Sequence, residues 1–214
     1  QQSLQANLKR AEERTPTMRC LTTASVDDVN KWLQELKTRR NEEGKLVCNA
    51  QQFRMVEQIA KRVTEEMLAE GENSDPGEPL RWCLHGGPGT GKSHVLKLVK
   101  KELFEEILQW DMGVHFQIVA LQAVMAQLLD GDTIHHALGI PFIKKTSEIQ
   151  DTELQKHMDV AKKVLQWRWL FIDEISMVSC KLLADIDMKL RSVIRDIGTA
   201  KNDGRGKTRP FGGL

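Results

Sequence analysis

Eight consecutive residues carry the most chemistry in this chain. Gly86-Gly87-Pro88-Gly89-Thr90-Gly91-Lys92-Ser93 fits G-x-x-x-x-G-K-[ST] at every position. Glycines without Cβ atoms let backbone N–H groups converge on phosphate oxygens, and a following helix adds its positive N-terminal end. Lys92 then reaches the β and γ phosphates, and the Ser93 hydroxyl faces a magnesium ion. A second group lies downstream, where the apolar run Trp169-Leu170-Phe171-Ile172 ends in Asp173-Glu174. In a parallel sheet the carboxyl ends of the strands open onto the ligand crevice. Asp173 is placed to hold the magnesium through water, and Glu174 to orient and deprotonate an attacking water. Together these residues describe a Mg²⁺-dependent nucleoside triphosphatase, in which catalysis is mostly positioning and charge neutralisation.

The elements that must position these residues are legible as periodicities. Leu80–Leu84 alternates as a short strand leading into the glycine loop, and Val95, Leu98, Val99, Leu103 and Ile107 mark the helix leading out. Val114–Leu121 reads as a second strand, followed by a short helix, a Gly131 turn and another short helix over Ile134–Leu138. Residues 141–151 read as a loop and Leu154, Met158, Ala161 and Leu165 as a helix. Trp167–Ile172 reads as a third strand, and Leu183, Ile186, Leu190, Val193 and Ile197 as the last helix. Alternating strands and helices predict an α/β fold, a parallel sheet with helices on both faces.

Upstream, residues 1–24 read as a linker or frayed helix. A Ser25-x-x-Asp28 start signal opens a helix through Val29, Trp32, Leu33 and Leu36 that ends near Arg40. A second helix from about Ala50 to Glu70 carries Phe53, Val56, Ile59, Ala60, Val63 and Met67, and Gly71–Pro79 is a turn-rich linker. These N-terminal helices are expected to pack against the nucleotide-binding part. Trp82, Trp110, Trp167 and Trp169 are expected in the core, and Lys144-Lys145 and Arg205–Arg209 in solvated loops.

Composition narrows the class. Of 214 residues, 40% are hydrophobic, and with 15 glycines the apolar share is that of a globular protein. A net charge of +1 excludes a generally cationic nucleic-acid coat while leaving room for a local basic groove. No apolar run is long enough to span a membrane. Cys20, Cys48, Cys83 and Cys180 have no metal or redox spacing, which reads as reduced thiols. The chain opens on Gln1 and closes on Phe211-Gly212-Gly213-Leu214, and is expected to be a piece of a longer protein.

Several stretches together resemble one family. Gly87–Ser93 and Ile172-Asp173-Glu174-Ile175-Ser176-Met177-Val178 look like the first two ATPase motifs of the Pif-one-like DNA helicases, superfamily-one motors that move 5′-to-3′ along single-stranded DNA. Ala126–Leu138 resembles the family's G-x-T-I-H-x-A-L segment, a pattern rare in other phosphate-loop proteins. Asn49-Ala50-Gln51-Gln52 resembles its adenine-sensing glutamine motif, and Pro210–Gly213 the segment before its next motif. The likeness covers about residues 46–214. It implies an incomplete RecA-like phosphate-loop domain, the first part of motor domain 1A, behind a polar, helical extension over residues 1–45. It implies ATP and Mg²⁺ as cofactors, with Gly86, Gly87, Pro88, Gly89, Thr90, Gly91, Lys92, Ser93 and Gln52 holding the nucleotide. Gln122, Thr133 and His135 would lie on the DNA path. At Leu121-Gln122-Ala123 the chain departs from the family's Pro-Thr-Gly run, so Gln122 would have to supply that contact.

By the same likeness the partners are single-stranded DNA or DNA junctions, with no membrane. The setting is repair, recombination, replication or telomere maintenance, in nucleus or mitochondrion, and the remainder of the motor is missing from this chain. An AAA-type loader or transposition helper, or an inactive nucleotide-binding fragment, shares the two ATPase motifs and stays open as an alternative. So does the plainer reading in which Thr133 caps the short helix and His135 packs.

Overall fold

The computed structural model describes residues 24–72, 74, 76–141, 158–194 and 208–214. The first helix, α1 (Val26–Thr38), starts as its sequence dictates. The Ser25 hydroxyl accepts from the Asp28 amide while the Asp28 carboxylate accepts from the Ser25 amide, a reciprocal box that satisfies two orphan donors. Arg39 leaves the helix in extended backbone, so α1 ends slightly short of the expected Arg40. Helix α2 (Ala50–Glu72) opens in the same manner: the Asn49 side chain accepts from the amides of Gln51 and Gln52, and Gln52 Oε1 accepts from the Asn49 amide. The helix after the glycine loop, α3 (Lys92–Leu98), continues as a π-helix over Val99–Ile107.

Three parallel strands form the sheet among the described residues: β1 (Phe116–Ala120), β2 (Asp132–Thr133) and β3 (Trp169–Asp173), in the order β2-β1-β3. Short helices α4 (Ala123–Gln127) and α5 (Ile134–Leu138) flank β2. Helical residues 158–164 (α6) precede β3, and α7 (Cys180–Ile194) follows it. Register is set by side-chain alternation, since successive residues face opposite sides of a sheet. Phe116 and Ile118 join a core with Trp169, the helices α1, α2 and α3, and the π-helical Leu103 and Phe104. Val119 points the other way, into a second core with Ile134, Leu138, Val164, Trp167, Ile186 and Leu190. The sheet is thus covered on both faces, as expected. Phe104 anchors the first core with ring centroids 4.9 Å from Phe116, 5.1 Å from Trp110 and 5.7 Å from Trp169.

The N-terminal helix packs where the sequence placed it. Trp32 Nε1 donates to Glu102 on the π-helix at 2.8 Å, and Arg39 Nη2 donates to the same carboxylate at 2.6 and 2.8 Å. At the other end, Phe211 donates its amide to Asp187 at 2.6 Å, and Arg191 donates to the Thr208 carbonyl at 3.1 Å, tying residues 208–214 to α7.

Three expectations are corrected. Leu80–Leu84 is not a strand: it pairs with none of the three strands, Leu80 packs partly against the first core, and residues 81–84 are exposed. Alternation along a segment records which side chains want one face, but a strand also needs a neighbour in hydrogen-bonding register. Trp82, expected in the core, is for the same reason 52% exposed, whereas Trp110, Trp167 and Trp169 are buried. Arg209, expected in a solvated loop, is only 4% exposed, and its Nε donates to Glu78 at 3.3 Å. The expected linker or frayed helix before residue 24, the 141–151 loop after its first residue, Leu154, Ile197, Lys144-Lys145 and Arg205–Lys207 lie outside the described residues.

Candidate nucleotide site and its sheet edge

The glycine loop takes its shape from residues that tolerate left-handed backbone. Gly89 has φ +72° and Gly91 φ +85°, and Gly91 caps α3 in that conformation. Gly91 also makes room. A Cβ there would lie 2.2 Å from Gln52 Nε2, which donates to the Thr90 carbonyl at 3.1 Å. Gln52 therefore has two engagements: its oxygen closes the box with Asn49, and its nitrogen tethers the glycine loop to the start of α2. Asn49 matters to this arrangement; the Asn-x-x-Gln spacing of a helix start was the signal that could have found it. Thr90 Oγ1 donates to the Gly87 carbonyl at 2.8 Å, while Lys92 Nζ donates to the Gly86 carbonyl at 2.7 Å and to that of Gly87 at 3.0 Å. The lysine is thus held inside its own loop. Gly87, Pro88, Gly89 and Ser93 are exposed, and a Cβ on Gly87 or Gly89 would touch nothing within 4 Å.

The sheet sets out the remaining candidates in a row. Ala120 pairs with Thr133 on one side and with Asp173 on the other, so all three strands end at one carboxyl edge. Gln122, Thr133 and Asp173–Glu174 are at or just past that edge. Gln122 is exposed at the position before α4 and makes no side-chain cap there. Thr133 caps α5, its hydroxyl accepting from the His136 amide at 3.3 Å, as the plainer reading expected. His135 is half-buried, and that burial pushes its imidazole below the ordinary histidine value, toward the neutral form. His136 points outward, with Nδ1 2.5 Å from Asp132. Asp173 is half-buried at the end of β3. Glu174 is exposed and sits at φ +51°, a left-handed conformation unusual for a side chain of its kind. The Met177 amide donates to the Glu174 carbonyl at 2.9 Å, which closes the turn and holds that conformation.

The direction of α3 decides where its loop points. Phe104 lies over Phe116 and Trp169, the first residues of β1 and β3. One turn back, Lys100 Nζ reaches the Leu129 carbonyl, beside Gly131, which abuts the Ile118 carbonyl in mid-strand. The helix therefore runs antiparallel to the strands. Lys92 is eight residues further back, about 12 Å at ~1.5 Å per residue, toward the carboxyl edge that carries Asp173. Glycine amides, an ammonium group and a serine hydroxyl suit a polyphosphate. Two carboxylates at the same edge suit a hard divalent cation, which takes oxygen ligands.

Comparisons with known proteins place the chain in a family. A model of the PIF1-like helicase family matches residues 55–214. The chain is 28% identical over 196 residues to the ATP-dependent DNA helicase RRM3 of Saccharomyces cerevisiae, covering 90% of this chain and 21% of that protein. It is 32% identical over 129 residues to the ATP-dependent DNA helicase PIF1 of Xenopus laevis, covering 60% and 17%. A crystal structure of Bacteroides Pif1 bound to single-stranded DNA aligns over 59% of this chain and 25% of that one, at 27% identity and a TM-score of 0.36. The chain spans about a fifth of the length of the curated relatives it matches. With the family model covering most of its length, from within α2 to the last residue, the chain belongs to the PIF1-like helicase family.

Proposed function

We propose that this chain is the nucleotide-binding part of an ATP-dependent DNA helicase that moves 5′-to-3′ on single-stranded DNA. Residues 46–214 form the first part of its motor domain and residues 1–45 an extension. The observation that carries the reading is the sheet edge at which α3 presents the glycine loop and at which β2 and β3 end in Thr133 and Asp173. Gly86–Gly91 and Lys92 bind the phosphates of ATP, Lys92 exchanging its bonds to the Gly86 and Gly87 carbonyls for phosphate oxygens. Ser93 and Asp173 would hold Mg²⁺, which would supply positive charge to neutralise the phosphate oxygens. Glu174 orients the attacking water and takes its proton. Gln52, next to the loop, reads the adenine edge. Gln122, Thr133 and His135 contact the DNA backbone and bases, on single strands or at junctions.

In this reading ATP binding draws a second motor lobe, outside this chain, onto the edge, and hydrolysis releases it. The work is DNA repair, recombination or replication, in nucleus or mitochondrion. The chain alone binds Mg-nucleotide weakly and does not unwind a duplex; robust unwinding by it would overturn this. The deciding measurement is titration with a fluorescent ATP analogue and labelled oligo-dT. Lys92→Ala should weaken the nucleotide about 10–100-fold, the worth of charge-assisted bonds. Thr133→Ala with His135→Ala should weaken oligo-dT and leave the nucleotide. A loader or transposition helper would be indifferent to that second pair.

A further inference from the structure

Lys100 is one of the few charged residues buried among the described residues, at 6% exposure. It projects from the π-helical continuation of α3, among the fully buried Val99, Leu103 and Phe104. Its Nζ donates to the Leu129 carbonyl at 3.1 Å and to Asp130 Oδ2 at 2.7 Å, with Glu105 at 3.8 Å. The acceptors belong to a tightly specified turn. Asp130 has φ +54°, and the Gly131 amide donates to the Ala126 carbonyl at 2.8 Å. A Cβ on Gly131 would fall 2.5 Å from the Ile118 carbonyl. Directly after this turn come β2, Thr133 and His135.

A buried ammonium is an expensive way to fill such a slot. A methionine of similar length would fill the space without desolvating a charge, at the cost of leaving the Leu129 carbonyl without this donor. What Lys100 does join is the helix that starts at the phosphate-binding lysine and the turn that presents the candidate DNA contacts.

We propose that Lys100 is a positioning residue that couples the two sites: when α3 shifts with phosphates on its loop, the Lys100 ammonium carries the Asp130–Gly131 turn, and with it Thr133 and His135. This rests on the helicase reading above. A rigid helix, a buried hydrogen-bonded ammonium and a turn packed on β1 form one physical link between the sites, of the sort that coupling requires. The consequence is a linkage in binding, equal in both directions.

The test uses this chain, fluorescein-labelled oligo-dT and a non-hydrolysable ATP analogue with Mg²⁺. Each ligand is titrated with and without saturating amounts of the other. In the unaltered chain the analogue should change oligo-dT affinity by about fivefold or more, and oligo-dT should change analogue affinity by the same factor. Lys100→Met should melt within a few degrees of the parent and bind each ligand alone within about threefold, with the coupling factor falling to about one. Lys100→Arg, which keeps the charge, should retain part of it. Asp130→Asn changes a side chain that is 80% exposed, so it folds, and should at least halve the factor.

An unchanged factor in both Lys100→Met and Asp130→Asn overturns the proposal. So does a Lys100→Met chain that loses stability and both affinities together, which would make the lysine a brace. Two ligands that bind the parent independently overturn the coupling and leave the helicase reading standing. A parent that ignores oligo-dT overturns that reading and the coupling with it.

Discussion

Gly91 serves two purposes at the scale of a single residue. Its φ of +85° is strained for any L side chain, and its missing Cβ is what lets Gln52 reach the Thr90 carbonyl. Gly91→Ala should therefore cost about 1–3 kcal/mol in stability, the usual range for a side chain forced into such backbone. It should also weaken nucleotide binding more than Gln52→Ala, since it distorts the loop as well as cutting the tether. Denaturant melts and titrations of the two variants check this. His135 makes a second case. Burial holds its folded value below the ordinary 6.5, so the folded chain binds fewer protons than the unfolded chain in that range. Stability is then fully present above the ordinary histidine value and declines as pH falls below it toward the depressed folded value. His135→Gln should flatten this slope in melts taken from pH 7 to 5. In the proposed DNA contact, a ring biased toward the neutral form would act by stacking or hydrogen bonding rather than by charge. Its replacement by alanine should lower oligo-dT affinity without altering the salt slope, which counts phosphate charges neutralised.

The elements divide into those that sequence specifies locally and those that depend on distant partners. Phe104 holds the π-helix against the starts of β1 and β3, and its replacement by alanine should cost about 3–5 kcal/mol, a large part of a domain's stability. Glu102→Ala should strand the Trp32 indole and the Arg39 guanidinium, loosen α1 and make it a target for brief proteolysis while the nucleotide loop keeps its affinity. Helix α1 was legible because its start is written in nearby residues, Ser25 with Asp28, and α2 because Phe53, Val56, Ile59, Ala60, Val63 and Met67 repeat at helical spacing. β1 and β3 were legible because their side chains face cores on both sides. The α3 helix was seen as one helix, since periodicity alone does not separate an α-turn from the wider turn after Leu98. Leu80–Leu84 misled because pairing is decided by a neighbour that the segment itself does not describe. At the site, the glycine loop and the acids at the end of β3 were plain from residue types. The Gln52 tether and the Lys100 strut depend on contacts 38 and about 30 positions away, which no local pattern encodes.

For the whole molecule, the sheet and the strap of residues 208–214 set how the parts respond together. Arg209 and Phe211 join Glu78, just ahead of the glycine loop, to Asp187 on α7. Asp187→Asn should loosen that strap, since it weakens the acceptor for the Phe211 amide and for Arg191; hydrogen exchange at residues 208–214 should rise before that of β1. One exposed side chain offers a practical readout of larger rearrangement. Trp82 stands in solvent, four residues before the first glycine of the loop, while Trp32, Trp110, Trp167 and Trp169 are all enclosed. Its indole is the optical gauge of the region. Any event that docks Leu80–Leu84 against the side of β3 that no strand among the described residues occupies would shift its emission to the blue and shield it from iodide quenching, so that closure can be followed in real time without attaching a dye.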